Sequence, residues 1–190
     1  MKILSVDPGA VNLGLSLWEE DQVTLTGLVR LFPENMNMKQ FNKKNGSLAD
    51  RILLRNLVNF AKNSPKWSHH FQTADKIVFE SQRLKFTHAL QYGLTGYLLS
   101  LNPTCEILFF HPFSISKAFK IGGLTRTERK KRIREIVYEK LPHIKKDDLS
   151  QDEIDSILNI FYYFQMKKKD FQNPCPFWSC ASHKPSKKSI

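Results

Sequence analysis

Cysteine is scarce in this chain of 190 residues, and its three copies, Cys105, Cys175 and Cys180, are unevenly placed. Such sparse thiols exclude a disulfide scaffold and agree with a reducing compartment. Long apolar runs are also missing, since none approaches the ~18 residues that cross a bilayer. The first residues form an apolar strand pattern without the regions of a signal peptide. We therefore expect an intracellular protein with no membrane partner.

Acidic residues are in deficit, because 18 Asp and Glu stand against 29 Lys and Arg, for a net charge of +11. A hydrophobic content of 41% is enough for one globular domain with a sizeable core. The charge points to a polyanionic partner, most often nucleic acid. An acidic membrane surface, or a basic protein with no such partner, remains an alternative.

Two apolar runs that predict buried strands end in a carboxylate. Residues 2–6 lead into Asp7, followed by Pro8 and Gly9, and residues 76–79 lead into Glu80. Burying an ionised carboxylate is costly unless a cation or hydrogen-bond donors meet it. Asp7 therefore either caps the Asp-Pro-Gly turn or binds a ligand.

The hydrophobic periodicity predicts an α/β chain. Alternation over residues 2–31 predicts a three-stranded antiparallel meander, and residues 76–80 and 106–110 predict two further strands. Helices are predicted from Ser47 as N-cap, over 86–101, from Thr125 to about Leu141, and from near Ser150. Loop composition marks residues 33–46, 63–74 and 111–124. Gly93 and Gly96 leave the helix over 86–101 without side chains at two positions, so we expect another backbone or helix to pack closely there.

The last predicted helix carries three acids with different explanations. Ser150 and Glu153 match the capping box S-x-x-E, which explains Glu153 structurally. Asp155 lies in a helix that is apolar nearly all round, and Asp152 is three residues before it, on the same face. Two like charges there repel unless a cation lies between them or one stays protonated.

Strand ends and the start of this helix are expected to meet at one edge of a mixed sheet. Four oxygen ligands favour a hard cation, Mg2+ or Mn2+, and a shared carboxylate can bridge two ions about 3.5 to 4 Å apart. Such a pair can activate a water molecule and stabilise the leaving 3'-oxygen of a phosphodiester. Six of the nine residues from Arg126 to Arg134 are basic, which indicates either a solvated or a phosphate-binding face. The pair His69-His70 and the set Cys175, Cys180 and His183 lack the partners of a typical zinc site.

On these residues the chain resembles the RuvC-type Holliday junction resolvases: Asp7-Pro8-Gly9, Glu80, and Asp152 with Asp155 occur in the family's order. The resemblance implies a ribonuclease H-like mixed five-stranded sheet, an antiparallel meander plus parallel strands, flanked by helices. It covers residues 1–166, which leaves 167–190 as a basic, mobile tail. Chain size and the basic helix are most similar to resolvases of poxviruses and other large DNA viruses, which would place the protein in the host cytoplasm.

The resemblance also implies a mechanism, in which Asp7, Glu80, Asp152 and Asp155 hold two Mg2+ ions, with Mn2+ as a substitute. Lys117 or Lys130 would stabilise the charged phosphate. The substrate would be a four-way DNA junction, cut by a homodimer that pairs through helix 86–101 and leaves religatable nicks, with no small-molecule cofactor. Bacterial members carry an aromatic where this chain has Arg83, and Phe86 is the candidate replacement. The candidate DNA contacts are Arg83, Phe86, Lys117, Arg126, Arg129, Lys130, Lys131 and Arg132.

Three other functions use parts of the same pattern. Another ribonuclease H-like nuclease or a strand transferase would use the same acids. A junction-binding module without cleavage would keep the basic helix but leaves Asp155 unexplained. Sugar kinases and actin-like ATPases share the strand-Asp-x-Gly opening but need two such domains, for which 190 residues are too few.

Overall fold

The computed structural model describes residues 1–8, 12–31, 38–81, 85–145 and 148–172. The strands are β1 (Ile3–Pro8), β2 (Asn12–Glu19), β3 (Gln22–Arg30), β4 (Lys76–Glu80) and β5 (Glu106–Phe110). The α-helices are α1 (Met38–Asn45), α2 (Ala49–Asn63), α3 (Ser68–Thr73), α4 (Lys85–Leu101), α5 (Pro112–Ala118), α6 (Arg126–Lys140) and α7 (Gln151–Gln172). None of these helices combines the length and hydropathy needed to span a membrane.

The strands form one mixed sheet in the order β3-β2-β1-β4-β5. The hairpin pairs β1-β2 and β2-β3 are antiparallel, whereas β1-β4 and β4-β5 are parallel. Each parallel pair is joined through helices, because a parallel connection must cross from one end of the sheet to the other. The predicted five-stranded sheet, a meander plus parallel strands flanked by helices, is confirmed.

Both faces of the sheet are covered, and strand alternation decides what each face carries. On β1, Leu4 and Val6 point into a core completed by α1 to α4, while Ile3 points into a second core completed by α5, α6 and α7. Ser5 and Asp7 share the parity of Ile3, so they lie on the α7 side. The polar positions of the central strand therefore face one helix.

Three segments predicted as loops contain short helices, so those predictions are wrong. Helix α1 lies within residues 33–46, α3 within 63–74 and α5 within 111–124. Each is anchored by one buried apolar side chain, Phe41, Phe71 and Ile115 respectively. In α5 the ring of His111 also accepts a hydrogen bond from the N–H of Phe113. Tertiary burial overrode a loop-like composition.

The start of α2 differs from the prediction. The N-cap residue of α2 is Leu48, and Ser47 lies in the 3-10 turn Gly46–Leu48. Helix α7 continues to Gln172, past the predicted domain boundary at residue 166. The rest of the predicted tail, with Cys175, Cys180 and His183, lies outside the described residues.

Two glycines allow close packing inside the chain. At Gly93 an added Cβ would lie 2.5 Å from a methyl of Leu54, so α2 packs there, whereas nothing approaches Gly96 within 4 Å. At Gly14 on β2, an added Cβ would lie 2.0 Å from the carbonyl oxygen of Asp152. Helix α7 thus begins in direct contact with the backbone of β2.

Replacing Gly14 with alanine is expected to destabilise the fold by about 2 kcal/mol or more, because backbone atoms of α7 must move to admit the methyl group. Gly122→Ala is the matched control, since nothing lies within 4 Å of that position. Urea unfolding followed by circular dichroism measures both variants. Equal stability of Gly14→Ala and wild type would contradict this packing.

Candidate active site

Asp7 and Glu80 end two neighbouring parallel strands. Val6 is paired with Phe79 in the register of β1 and β4, so the acids that follow them occupy adjacent positions at one edge of the sheet. Glu80 shares the parity of Val78, which packs on the α7 side. Asp7 is only 8% exposed. The two predicted strand acids therefore face the same helix at the same edge.

Helix α7 brings the other two acids to this edge, and its first turn is fastened to β2. The side-chain amide of Asn12 donates a hydrogen bond to Asp152 Oδ2 at 3.2 Å. The hydroxyls of Ser16 and Ser156 both donate to the carbonyl of Glu153, at 3.4 and 2.7 Å. Strand β2 thus fixes where Asp152 lies.

The predicted capping box at the start of α7 is confirmed. The backbone N–H and the hydroxyl of Ser150 both donate to Glu153 Oε2, at 2.9 and 2.7 Å, and the N–H of Glu153 donates to Ser150 Oγ at 3.3 Å. This explains why Glu153 differs in role from its acidic neighbours. It stabilises the helix start that carries them.

The carboxylates lie close enough to raise one another's pKa. Burial, and then the charges of Glu80, Asp155 and Asp152, raise the pKa of Asp7 well above its ordinary value. Burial raises the pKa of Asp155 to about 6; a hydrogen bond from Gln151 opposes this rise, Asp152 adds to it, and Lys130 and Arg129 oppose it. The structure therefore brings all four predicted acids together.

The donor set fits a hard divalent cation. The charges that raise the pKa of the buried Asp7 are the carboxylates of Glu80, Asp155 and Asp152. A divalent cation among them would relieve this repulsion. Carboxylate oxygens are the ligands that Mg2+ and Mn2+ prefer. Within the described ranges no three His, Cys, Asp or Glu side chains already stand in ligating geometry. That agrees with mutual repulsion among four acids.

The basic start of α6 lies next to the acids. Its N-terminus is fixed by a second capping box, between Thr125 and Glu128. Lys130 and Arg129 both act on the pKa of Asp155. Arg132 is 3.0 Å from Glu135 and partly neutralised by it. The exposed predicted DNA contacts on this helix are Arg126, Arg129, Lys130, Lys131 and Arg132.

The other predicted DNA contacts do not belong to α6. Lys117 lines a groove with Phe113 and Tyr162, which is separate from the cavity that Glu80 and Asp155 line. Arg83 and the side chain of Phe86 lie outside the described part of the chain.

Sequence reasoning missed a polar link between α6 and α7. Arg134 Nε donates to Gln151 Oε1 at 3.2 Å, and Gln151 Nε2 donates to Asp155 Oδ1 at 2.9 Å. Gln151 precedes Asp155 by four residues, a helical spacing that could have revealed the pair. The contact of Asn12 with Asp152 carries no such local signal, because it joins residues 140 positions apart.

Comparison with known proteins supports the fold by structure alone. No family model and no curated protein matches the sequence. T. thermophilus RuvC in complex with a Holliday junction substrate is 13% identical, with a TM-score of 0.51 over 87% of this chain and 96% of that one. The yeast mitochondrial Holliday junction resolvase Ydc2 is 17% identical, with a TM-score of 0.52 over 93% of this chain and 85% of that one.

A fowlpox virus resolvase bound to Holliday junction DNA is 16% identical and covers 92% of this chain, with a TM-score of 0.46. This TM-score is too low to establish a relationship, so closeness to viral resolvases stays a prediction. The first two structures share the mixed sheet and the flanking helices with this chain. The chain therefore has the ribonuclease H-like fold that its sequence predicted.

Asp155→Asn is expected to stabilise the metal-free protein at high pH. Because folding raises the pKa of Asp155 from 3.8 to about 6, the stability contributed by its neutral form is fully present below about pH 4. That stability is lost as the pH rises through 6. At pH 8 in EDTA the variant should therefore exceed wild type by on the order of 2 kcal/mol, with no difference near pH 4.

Thermal unfolding at both pH values measures this difference. Asp148→Asn is the control, because that carboxylate is exposed. A variant that is less stable than wild type at pH 8 would show that Asp155 is stabilised by a partner rather than repelled.

Proposed function

We propose that this chain is a structure-selective endonuclease that resolves four-way DNA junctions by metal-dependent phosphodiester hydrolysis on opposed strands. The observation that carries the proposal is the convergence of Asp7, Glu80, Asp152 and Asp155 at one edge of the sheet. This convergence occurs in a fold shared with a RuvC in complex with a Holliday junction substrate and with the Holliday junction resolvase Ydc2. The nicks would be religatable. The alternatives are another ribonuclease H-like nuclease and a non-catalytic module that binds junctions or other DNA.

The four carboxylates are proposed to hold two Mg2+ ions, for which Mn2+ substitutes. When bound, such ions activate a water molecule and stabilise the leaving 3'-oxygen. Asn12 and Gln151 orient Asp152 and Asp155, since each donates a hydrogen bond to one oxygen of its partner. Gln151, Lys130 and Arg129 lower the pKa of Asp155 and so favour the ionised form that binds a cation.

The basic start of α6 is proposed to bind the backbone of the DNA next to these acids. Cationic side chains neutralise phosphates without reading sequence, which suits a substrate recognised by its branched shape. Of the two candidate lysines, Lys130 is supported as the group that stabilises the charged phosphate, because it acts on Asp155. Lys117 is proposed to contact DNA farther from the acids. Arg83 and Phe86 remain proposed contacts by resemblance alone.

A homodimer would place two such sites on opposed strands of one junction. The outer face of α4 supports this proposal, because Tyr92, Gly96 and Leu99 are all exposed at helical spacing. Phe109 on the edge strand β5 is also 41% exposed, and its ring lies 5.9 Å from that of Tyr92. Exposed aromatic and aliphatic side chains of this kind are typical of protein interfaces.

The central test incubates the protein with Mg2+ and either a labelled four-way junction or a linear duplex of the same sequence. We expect paired nicks near the crossover of the junction, sealed by ligase, and no cutting of the duplex. Asp155→Asn should lower the rate at least about 100-fold, while Asp148→Asn should leave it unchanged. EDTA should abolish cutting in every sample.

The other outcomes of this assay separate the alternatives. Equal cutting of duplex and junction would indicate a general nuclease of the same fold. Tight junction binding without cutting, under Mg2+ and Mn2+ alike, would indicate a junction-binding module.

Lys130→Ala is expected to slow cleavage of a saturated complex by about 100-fold, because one electrostatic stabiliser of the phosphate is removed. Lys117→Ala should stay within about threefold of wild type. Lys131→Ala is the matched control, since adjacent side chains on a helix point about 100° apart. Single-turnover rates at saturating protein separate chemistry from binding. A larger loss in Lys117→Ala than in Lys130→Ala would reverse the assignment.

A further inference from the structure

Two hydrogen bonds in series, which we call the polar link, join α6 to the candidate active site. Arg134 Nε donates to Gln151 Oε1 at 3.2 Å, and Gln151 Nε2 donates to Asp155 Oδ1 at 2.9 Å. The capping box at Ser150 uses other atoms of the same helical turn. The polar link is therefore separate from the contacts that fix the start of α7, and its position beside Asp155 needs its own explanation.

The two ends of the polar link determine which way round the amide of Gln151 lies. A guanidinium offers donors only, and an ionised carboxylate offers acceptors only. The reverse orientation would set the NH2 group against the guanidinium of Arg134 and the amide oxygen against the carboxylate of Asp155. One orientation of the amide thus satisfies both neighbours, and each hydrogen bond strengthens the other.

Arg134 differs from the other basic residues of α6. Its side chain is half-buried, whereas the predicted DNA contacts on this helix are exposed. Lys130 and Arg129 act on the pKa of Asp155 through their charges. Arg134 instead reaches Asp155 through the amide of Gln151. Its contribution to the site is therefore one of geometry.

We propose that Arg134 is a positioning residue of the candidate active site, which holds the amide of Gln151 so that Asp155 is fixed through Oδ1 to receive a divalent cation. This inference rests on the proposed metal-dependent function. Among the described residues, Gln151 is the one hydrogen-bond donor to Asp155, so the polar link supplies the orientation of this carboxylate. Loss of such an outer-shell partner typically lowers metal affinity by about 10- to 100-fold.

The test measures binding of Mn2+ alone, without DNA, from its electron paramagnetic resonance signal. At pH 8, above the pKa of about 6 to which burial raises Asp155, protons hardly compete with the cation. Arg134→Met keeps the apolar stem and removes the guanidinium, so the amide of Gln151 regains rotational freedom. We expect this variant to bind Mn2+ about tenfold more weakly than wild type.

Charge alone predicts the opposite sign, since removing a cation near four acids strengthens the binding of another cation. Arg129→Met is the matched control, because it removes the same charge from the same helix and Arg129 acts on Asp155 through its charge. It should bind Mn2+ at least as tightly as wild type. Arg134→Met that binds as tightly as wild type, or more tightly, would overturn the proposal.

A double-mutant cycle tests whether Arg134 acts through Gln151. Gln151→Met should weaken Mn2+ binding at least as much as Arg134→Met, and the double variant should lose no more than Gln151→Met alone. Losses that add would show that Arg134 acts by another route and would refute the polar link as its mechanism. Arg134→Lys keeps a group that only donates and should bind within about threefold of wild type.

A second measurement needs no metal. In EDTA, the side-chain amide of Gln151 is followed by 15N NMR relaxation and identified by its absence in Gln151→Met. We expect an order parameter near the ~0.85 of rigid backbone in wild type and in Arg129→Met, and below about 0.6 in Arg134→Met. If wild type binds no Mn2+, the proposed metal-dependent function fails, and this measurement decides on Arg134 alone. An amide that stays equally rigid without the guanidinium would then refute the proposal.

Thermal unfolding of the metal-free protein checks that the variants are folded. If Arg134→Met does not fold, Arg134→Gln is the second variant, with the same weakening of Mn2+ binding expected. Weak binding in Arg134→Lys as well, together with an equal drop in unfolding temperature, would show that Arg134 is structural and would contradict a positioning role.

Discussion

Repulsion among four carboxylates is the constraint on which the rest of this structure depends. Asp7 is nearly buried, and its charged neighbours among the described residues are other acids, so its pKa is raised well above the usual range. A folded protein keeps such an arrangement only when the surrounding contacts are strong enough to hold it. Divalent cations would convert the same repulsion into binding energy, because each carboxylate then has an opposite charge to meet.

Those surrounding contacts come from the seam between α7 and β2. Gly14 removes the side chain that would separate them, and the hydroxyl of Ser16 holds the carbonyl of Glu153. Ser150 and Glu153 close the helix start itself. The bond from Ser16 to a backbone carbonyl and the close packing at Gly14 are neutral contacts, so neither screening by salt nor titration of the acids removes them directly. The groups that fix the start of α7 are thus different from the acids of the candidate site, although they lie in the same helical turn.

Helix α6 places positive charge next to the carboxylates. Its basic side chains are exposed, while Ile133, Ile136 and Val137 pack the opposite face onto the second core. A cavity of about 350 Å³ lies where this helix, α5 and α7 meet. The basic helix, the acidic edge of the sheet and this cavity adjoin one another, since Arg129, Glu80 and Asp155 all line it.

The sequence alone determined the order of strands and main helices, the two strand-terminal acids and the capping box at Ser150, because these depend on local periodicity and short spacing. The sequence pattern predicted loops where α1, α3 and α5 lie. Their helical state depends on burying Phe41, Phe71 and Ile115 in a core assembled from distant segments. Only the tertiary structure decided that Asn12 meets Asp152, that Lys130 rather than Lys117 acts on Asp155, and that Asn159 lines a cavity. The reason is physical: strand register and helix packing bring together residues far apart in the chain, and no local pattern records those distances.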